Sequence, residues 1–277
     1  MRSAPNPFTD PSQVRGALYQ SASRIATRTS ALHRARVSGT HAAEVIADLA
    51  AQVPGARTGI VVDLGCGRGT TTRQLAGRIP GAAVIGVDLS AALLTAAKLR
   101  LPGTGRLALI RADFCHLPFS DGFCAVAVAA FCLYHAPSPA SVIAEIARCL
   151  VTDGTAIVAV KSADSYRELD HLIARTGLDP NAERRPSLYQ TAHSDNIESL
   201  AAPSLDVRAI IHEPHRFVFP TLADAAEYLS TSPKYALPPD LADNPAALTA
   251  ALRQRTTDEP VVASSVVTYL SGTKAAR

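Results

Sequence analysis

From about residue 59 to residue 160, short apolar runs alternate with stretches of helical periodicity. Gly59–Leu64 reads as a first strand, followed by a helix over Thr70–Ala76, and Ala83–Asp88 (AVIGVD) as a second strand. Ser90 then caps a helix over Ala91–Arg100, and Leu107–Ala112 forms a third strand. CAVAVAAF, residues 124–131, is apolar throughout, the pattern of a central strand buried on both faces. Ser138 and Pro139 make a cap and first-turn pair for a helix whose Val142, Ile143, Ile146 and Leu150 form one stripe. Asp153-Gly154 is expected to turn the chain into a fifth strand, TAIVAV. This rhythm predicts a doubly wound, parallel α/β sheet. Beyond residue 164 it fades: Tyr166–Thr176 reads as helix, Leu205–Ile211 and Val261–Leu270 as strands, with a proline-punctuated helical stretch between them. The expected organisation is an N-terminal helical cap (1–50), a ligand-binding core (51–163), and a final part (164–277) supplying the remaining strands and covering helices.

Length and composition agree with one such domain plus cover: 277 residues, 47% apolar, exclude a disordered chain. The formal net charge of +3 resides in the first 50 residues, where Arg2, Arg15, Arg24, Arg28, Arg34 and Arg36 face only Asp10, Glu44 and Asp48. Most of these arginines sit among small polar residues without interleaved aromatics, so a solvated helical face is expected and no nucleic-acid partner. Cys66, Cys115, Cys124, Cys132 and Cys149 include no C-x-x-C pair and read as reduced, small apolar residues. MRSAPNPFTDP has no signal-peptide pattern, and the longest nearly apolar run, Phe123–Tyr134, is too short to span a bilayer. A cytoplasmic protein with no membrane partner is expected.

The densest local signal is VVDLGCGRG, in which Gly65, Gly67 and Gly69 follow an apolar strand and Asp63. Strand, glycine turn and helix together bring bare backbone and unpaired N–H groups close to a nucleotide-like ligand. A tight turn without ligand would use the same residues. The dinucleotide fingerprint G-x-G-x-x-G would need glycine at position 70, where threonine stands, so the spacing argues against NAD.

Taken together, VVDLGCGRG, VIGVDLS and RADFCHLPF resemble class I S-adenosylmethionine-dependent methyltransferases, specifically the small-molecule methyltransferase type 11 group. FCLYHAPSPASVIAEIARCLVTDGTAIVAV resembles that group's fourth strand, helix and fifth strand, so the likeness covers roughly residues 55–161. It implies a mostly parallel, seven-stranded Rossmann-like sheet and S-adenosylmethionine as cofactor. It implies backbone at Gly65, Cys66 and Gly67 under the methionine half, with Asp63 bracing the loop. Asp88 would accept both ribose hydroxyls, Leu89 would pack on adenine, Asp113 would accept from the adenine amino group, and Phe114 would supply backbone. Phe131 completes the expected cofactor set. For each aspartate a plain cap or turn role is the alternative. LYQSASRIATRTSALHRA resembles an arginine-bearing helix that closes over the cofactor, making Arg28, with Arg24 second, the candidate for the methionine carboxylate. VTDG and KSADSYREL depart from the group's pattern.

Methyl transfer is an in-line displacement that needs a base only when the attacking atom must lose a proton. His135, directly after strand four, is the candidate base, and alternation points Tyr134 elsewhere. By resemblance to relatives that methylate carbon in indole or terpenoid products, Tyr19 is its expected catalytic partner. HEPH (212–215) is rejected as a metal site, since strand geometry places His212 and His215 on opposite faces and Pro214 forbids a helix. No metal is expected. The expected function is methyl transfer to a small, hydrophobic metabolite, with C-methylation of an indole- or terpenoid-type product leading. An RNA or protein methyltransferase, or a cofactor-binding protein that steers a cyclisation, are the alternatives. Oligomeric state is not indicated.

Overall fold

The computed structural model describes residues 6–10, 13, 16, 18, 19, 22–101, 103 and 105–275. Arg2, Arg15 and the start of the expected N-terminal cap lie outside these residues. In chain order the first half forms α1 (Ala22–Ala35), β1 (Arg36–Ser38), α2 (Ala42–Ala51), β2 (Ile60–Leu64), α3 (Thr70–Arg78), β3 (Ala83–Asp88), α4 (Ala91–Lys98), β4 (Leu107–Arg111) and β5 (Cys124–Ala130). The second half forms α5 (Pro139–Cys149), β6 (Leu150–Lys161), α6 (Arg167–Arg175), α7 (Ile197–Ala201), β7 (Leu205–Phe219), α8 (Leu222–Thr231), α9 (Pro245–Arg253) and β8 (Val261–Lys274). Two compact units result, one of Met1–Gly39, Ala163–Leu188 and Glu213–Val266, the other of Thr40–Ser162, Tyr189–His212 and Val267–Arg277.

The strand order of the sheet is β1-β7-β8-β6-β5-β2-β3-β4. In the second unit β5 pairs in parallel with β2 and β6, and β2 and β4 each pair in parallel with β3. β8 runs antiparallel to β6, from Lys161 opposite Val267 to Thr155 opposite Thr273. β5 is buried along nearly its whole length, as its unbroken apolar sequence demands. Ile46 of α2 and Leu75 of α3 pack on Val61, Val84, Val126 and Ile157 to make the principal core of this unit. Successive strands run outward from β2 to β3 and β4, and then in the other direction to β5 and β6. The chain therefore reverses its winding between β2 and β5, and in open α/β sheets ligands bind at that point, beyond the strands' carboxyl ends.

Among the described residues the sheet has eight strands, not the expected seven. The additional one is β1, three residues whose Arg36 and Ser38 lie opposite Phe217 and Arg216 of β7. RVS is too short to carry a period, so nothing in the local pattern marked it. β7 also runs well past Ile211, through Pro214; among the described residues three-residue β1 alone flanks its outer side, and an edge tolerates a residue without an N–H. Asp153-Gly154 does not end a helix-to-strand turn. β6 already begins at Leu150, Asp153 takes a left-handed φ of 63°, and the register against β5 shifts between Cys124 and Val126. Ser138 does not cap α5: its hydroxyl bonds that of Ser141, at 2.7 Å, while Pro139 does open the helix.

In the first unit, α1 packs on α8, and α8 on α9. α8 begins with a capping box in which Thr221 and Asp224 satisfy each other's backbone N–H. The α1 arginines have protein partners: Arg24 pairs with Asp243 at 2.9 Å, the exposed Arg34 pairs with Glu227, and Arg28 Nη1 donates to the Thr231 carbonyl at 3.0 Å. In the HEPH segment, His212 Nδ1 lies 2.8 Å from Thr268 Oγ1 and His215 Nε2 lies 3.2 Å from Glu213 Oε2, so the two rings have separate partners. The five cysteines are free thiols. Among the described residues, no helix is long and apolar enough to cross a membrane.

Candidate active site

β2 delivers the chain into the glycine loop at the point where the winding reverses. Gly65 adopts φ 63° with its Cα hydrogen against Cys132, where an added Cβ would come within 2.6 Å of the Cys132 Cβ. Backbone conformation and packing both exclude a side chain there. Gly67, at φ 56°, is different: an added Cβ would meet nothing nearer than the Gly65 carbonyl oxygen at 4.0 Å. Its bare backbone faces open space. The Cys66 N–H ties the loop to β3 through the Val87 carbonyl at 3.0 Å, and the Gly69 N–H closes it onto the Cys66 carbonyl at 2.9 Å.

Two carboxylates, Asp63 buried and Asp88 half-buried, secure this loop. Asp63 accepts from the Thr72 hydroxyl at 2.6 Å, joining the end of β2 to the first turn of α3. Burial pushes its pKa up to about 7, against the Thr72 hydrogen bond and with help from the neighbouring Asp88 charge. Asp88, the last residue of β3, reaches back to the loop: its Oδ2 accepts from the Gly67 N–H and its Oδ1 from the Ser90 N–H, both at 2.8 Å. Its pKa is also raised by burial, which the Ser90 and Gly67 N–H groups oppose. The Leu89 N–H also faces this carboxylate, which with four acceptor directions in all keeps at least one of them open. Ser90 caps α4 as expected, accepting from the Leu93 N–H at 3.2 Å.

Beyond β4, Asp113 Oδ1 accepts from the Cys115 N–H at 2.9 Å, shaping the turn that carries half-buried Phe114. The Leu89 carbonyl accepts from Arg111 Nε at 3.1 Å. At the end of β5, Phe131 takes a left-handed φ of 55° while its N–H donates to the Ala159 carbonyl at 2.8 Å. A bulky residue in that region is strained, and such strain gathers at ligand sites. The chain then places Cys132 under Gly65, its Sγ 3.3 Å from the Leu64 carbonyl, and turns once as a 3-10 helix, Leu133–His135. His135 thus follows a turn and not the strand itself, and alternation does not separate it from Tyr134. The two rings meet edge-on with centroids 4.7 Å apart, and Tyr134 meets Tyr189 in the same way at 5.0 Å. Burial pushes the Cys66 and Cys132 thiols well above their ordinary range, so neither is a nucleophile.

Asp63, Gly65, Cys66, Gly67, Asp88, Leu89, Asp113, Phe114, Phe131 and His135 all belong to one unit. Arg28 and Tyr19 belong to the other unit, where Arg28 lies close enough to Tyr228 for its charge to offset part of that phenol's burial. Tyr19 sits in a turn closed by its N–H on the Gly16 carbonyl at 3.1 Å. Sequence reasoning missed Thr72, Tyr189 and Lys161. Lys161 left a trace, being the lone charge that ends the apolar run TAIVAV at the sheet's carboxyl edge. Open backbone at Gly67 beside the half-buried Asp88 carboxylate fits the methionine half and ribose of S-adenosylmethionine.

A family model described as a methyltransferase domain matches residues 62–158. A trans-aconitate 2-methyltransferase of Methylobacterium nodulans is 40% identical over 132 residues, 47% of this chain and 48% of the relative, so the chain spans about half of that protein's length. One from Acidovorax sp. (strain JS42) is 31% identical over 178 residues, 62% of this chain and 67% of the relative. Among solved structures, a putative methyltransferase from Bacillus halodurans superposes with a TM-score of 0.56 at 14% identity, over 83% of this chain and 99% of that one, a likeness of fold. A relative matched over two thirds of its length joins a sheet that reverses its winding beside the glycine loop, and on these grounds the chain belongs to the class I S-adenosylmethionine-dependent methyltransferases.

Proposed function

We propose that the protein transfers a methyl group from S-adenosylmethionine to a small carboxylic acid. The observation that carries the transfer is the bare Gly67 backbone beside Asp88, at the point where the sheet reverses. The carboxylic acid is supported by the names of the relatives, trans-aconitate 2-methyltransferases. When bound, S-adenosylmethionine supplies an electrophilic methyl group whose passage to a carboxylate oxygen leaves a neutral thioether and needs no proton acceptor. Asp88 would accept from the ribose hydroxyls, Asp113 would accept from the adenine amino group, and the Gly65–Gly67 backbone would hold the methionine half. Asp63 and Thr72 keep that backbone in place.

A carboxylic acid is already ionised at neutral pH, so His135 has no proton to remove and acts by orienting the acceptor. A base at His135 is required instead by an acceptor that sheds a proton, such as an indole carbon or a terpenoid alcohol. Labelled S-adenosylmethionine presented with trans-aconitate, smaller di- and tricarboxylic acids, indoles, terpenoid alcohols, RNA and protein separates these cases. The expected result is turnover of an acid, with a rate flat above about pH 6 and reduced less than about tenfold by His135→Asn. Turnover confined to indoles or terpenoids, rising through an imidazole-like pKa and falling about 10²–10⁴-fold in His135→Asn, overturns the acid reading and makes His135 the base.

A further inference from the structure

Two of the three arginines on α1 are matched by carboxylates, Arg24 by Asp243 at 2.9 Å and Arg34 by Glu227. Half-buried Arg28 meets no carboxylate among the described residues, and its Nη1 donates instead to the carbonyl of Thr231, the last residue of α8, at 3.0 Å. That bond uses one of the five N–H groups of a guanidinium, and the negative end of the α8 dipole offsets only part of its charge. α8 brings a second group to the same place. Tyr228 lies one turn before Thr231, whose hydroxyl bonds the Tyr228 carbonyl at 3.0 Å. The residue is 5% exposed, with its ring centroid 5.5 Å from that of Tyr166 and 6.4 Å from that of Phe219. The Tyr166 hydroxyl is bonded to Ser265, whereas the Tyr228 hydroxyl has no hydrogen-bond partner among the described residues. A buried phenol ordinarily has one. Burial pushes the Tyr228 phenol up, against the nearby Arg28 charge, so it stays protonated and can donate. Asp170, whose charge also reaches Tyr228, is committed to Lys234 at 2.5 Å and to the Tyr235 hydroxyl at 3.0 Å.

We infer that Arg28 and Tyr228 form a carboxylate site in the first unit and that its ligand is the acceptor acid, an inference that rests on the acid reading above. A guanidinium with N–H groups to spare and a phenol with its proton uncommitted are complementary to carboxylate oxygens, which accept from both. The methionine half of the cofactor also carries a carboxylate, but it brings an ammonium and the sulfonium with it. S-adenosylmethionine thus meets a guanidinium with net positive charge, whereas a di- or tricarboxylic acid is negative throughout at neutral pH. Gly67, Asp88 and Asp113, which serve the cofactor in the reading above, belong to the second unit.

The test uses the full chain, its Tyr228→Phe and Arg28→Gln variants, and whichever of trans-aconitate and the smaller acids turns over best. Tyr228→Phe removes a hydroxyl that bonds nothing in the protein, so the thermal transition should not fall. The KM for the acid should rise by about 10- to 100-fold, with the Kd for S-adenosylhomocysteine unchanged. Arg28→Gln, which keeps a donor for the Thr231 carbonyl without the charge, should raise the KM at least as far. Calorimetry of the acid in the presence of S-adenosylhomocysteine should show the same weakening. An unchanged KM in folded, active Tyr228→Phe overturns the inference alone, whether or not Arg28→Gln folds. Weakened S-adenosylhomocysteine binding in Arg28→Gln, with binding of methylthioadenosine, which lacks the carboxylate, untouched, also overturns it and assigns the site to the cofactor. If the parent protein methylates no acid, the acid reading falls first, and this inference with it.

Discussion

Asp63→Asn tests whether the carboxylate under the glycine loop is held neutral by burial. The side chain is 1% exposed, and its pKa rises from 3.8 to about 7, chiefly because ionisation there forfeits hydration. Between those two values the folded chain keeps a proton that the unfolded chain has released. The stability this group contributes is therefore complete below the unfolded value and is lost as pH climbs through about 7. At about 1.4 kcal/mol per pH unit, the gap amounts to about 4 kcal/mol between the acidic and alkaline limits. Somewhat over a third is gone by about pH 5, which leaves about 2 to 3 kcal/mol to disappear between about pH 5 and pH 8. The amide that the substitution introduces stays neutral throughout, and its oxygen still accepts from the Thr72 hydroxyl. Urea unfolding of both proteins, free of cofactor, at half-unit steps from pH 5 to pH 8 gives the difference in stability at each pH, from which the other titrating groups largely cancel. That difference should shift in the variant's favour by about 2 to 3 kcal/mol across the range. The nearby Asp88 charge adds in the same direction, since removing the Asp63 charge eases Asp88 ionisation. Parallel curves, with a difference constant to within about 0.5 kcal/mol, would refute the reasoning: Asp63 would then be ionised in the fold and stabilised by something other than Thr72.

The two loop glycines should separate stability from binding. Gly65→Ala, whose new Cβ lies 2.6 Å from the Cys132 Cβ at a left-handed φ, should cost about 2 to 4 kcal/mol in urea unfolding, whereas Gly67→Ala, strained but spacious, should cost about 1 kcal/mol. Calorimetry should nevertheless find S-adenosylhomocysteine binding abolished or weakened at least about tenfold in Gly67→Ala, and an unchanged Kd there would mean that the cofactor does not lie against this backbone. Asp88→Ala should weaken the same ligand by about 1.5–3 kcal/mol, the scale of charge-assisted bonds to the ribose hydroxyls, and binding as tight as the parent's would displace Asp88 from that role.

The parallel core was legible in the sequence because its signals are local. An apolar run of five to seven residues between helical patterns has few other uses, and β3 occupies Ala83–Asp88, the span expected of it. The α5 stripe of Val142, Ile143 and Ile146 is buried as its spacing requires, and Leu150, counted with them, is buried as the first residue of β6. The glycine loop was equally visible, since left-handed backbone and close approach select glycine wherever they occur. The features that escaped depend on partners far away in sequence. Arg36–Ser38 is a strand because Arg216 and Phe217 offer it an edge, and Arg24, Arg28 and Arg34 find their partners on and after α8, some 190 to 220 residues later. Asp88 showed itself as the end of a strand, but its grip on the Gly67 N–H exists only once β2 and β3 lie side by side. Lys161 reads in the sequence as one charge after six apolar or small residues. Its position over Phe131 and Tyr189 is set by the pairing of β6 with β5 and by the return of the chain at Tyr189, because periodicity records which face a residue takes and only tertiary packing decides what that face meets.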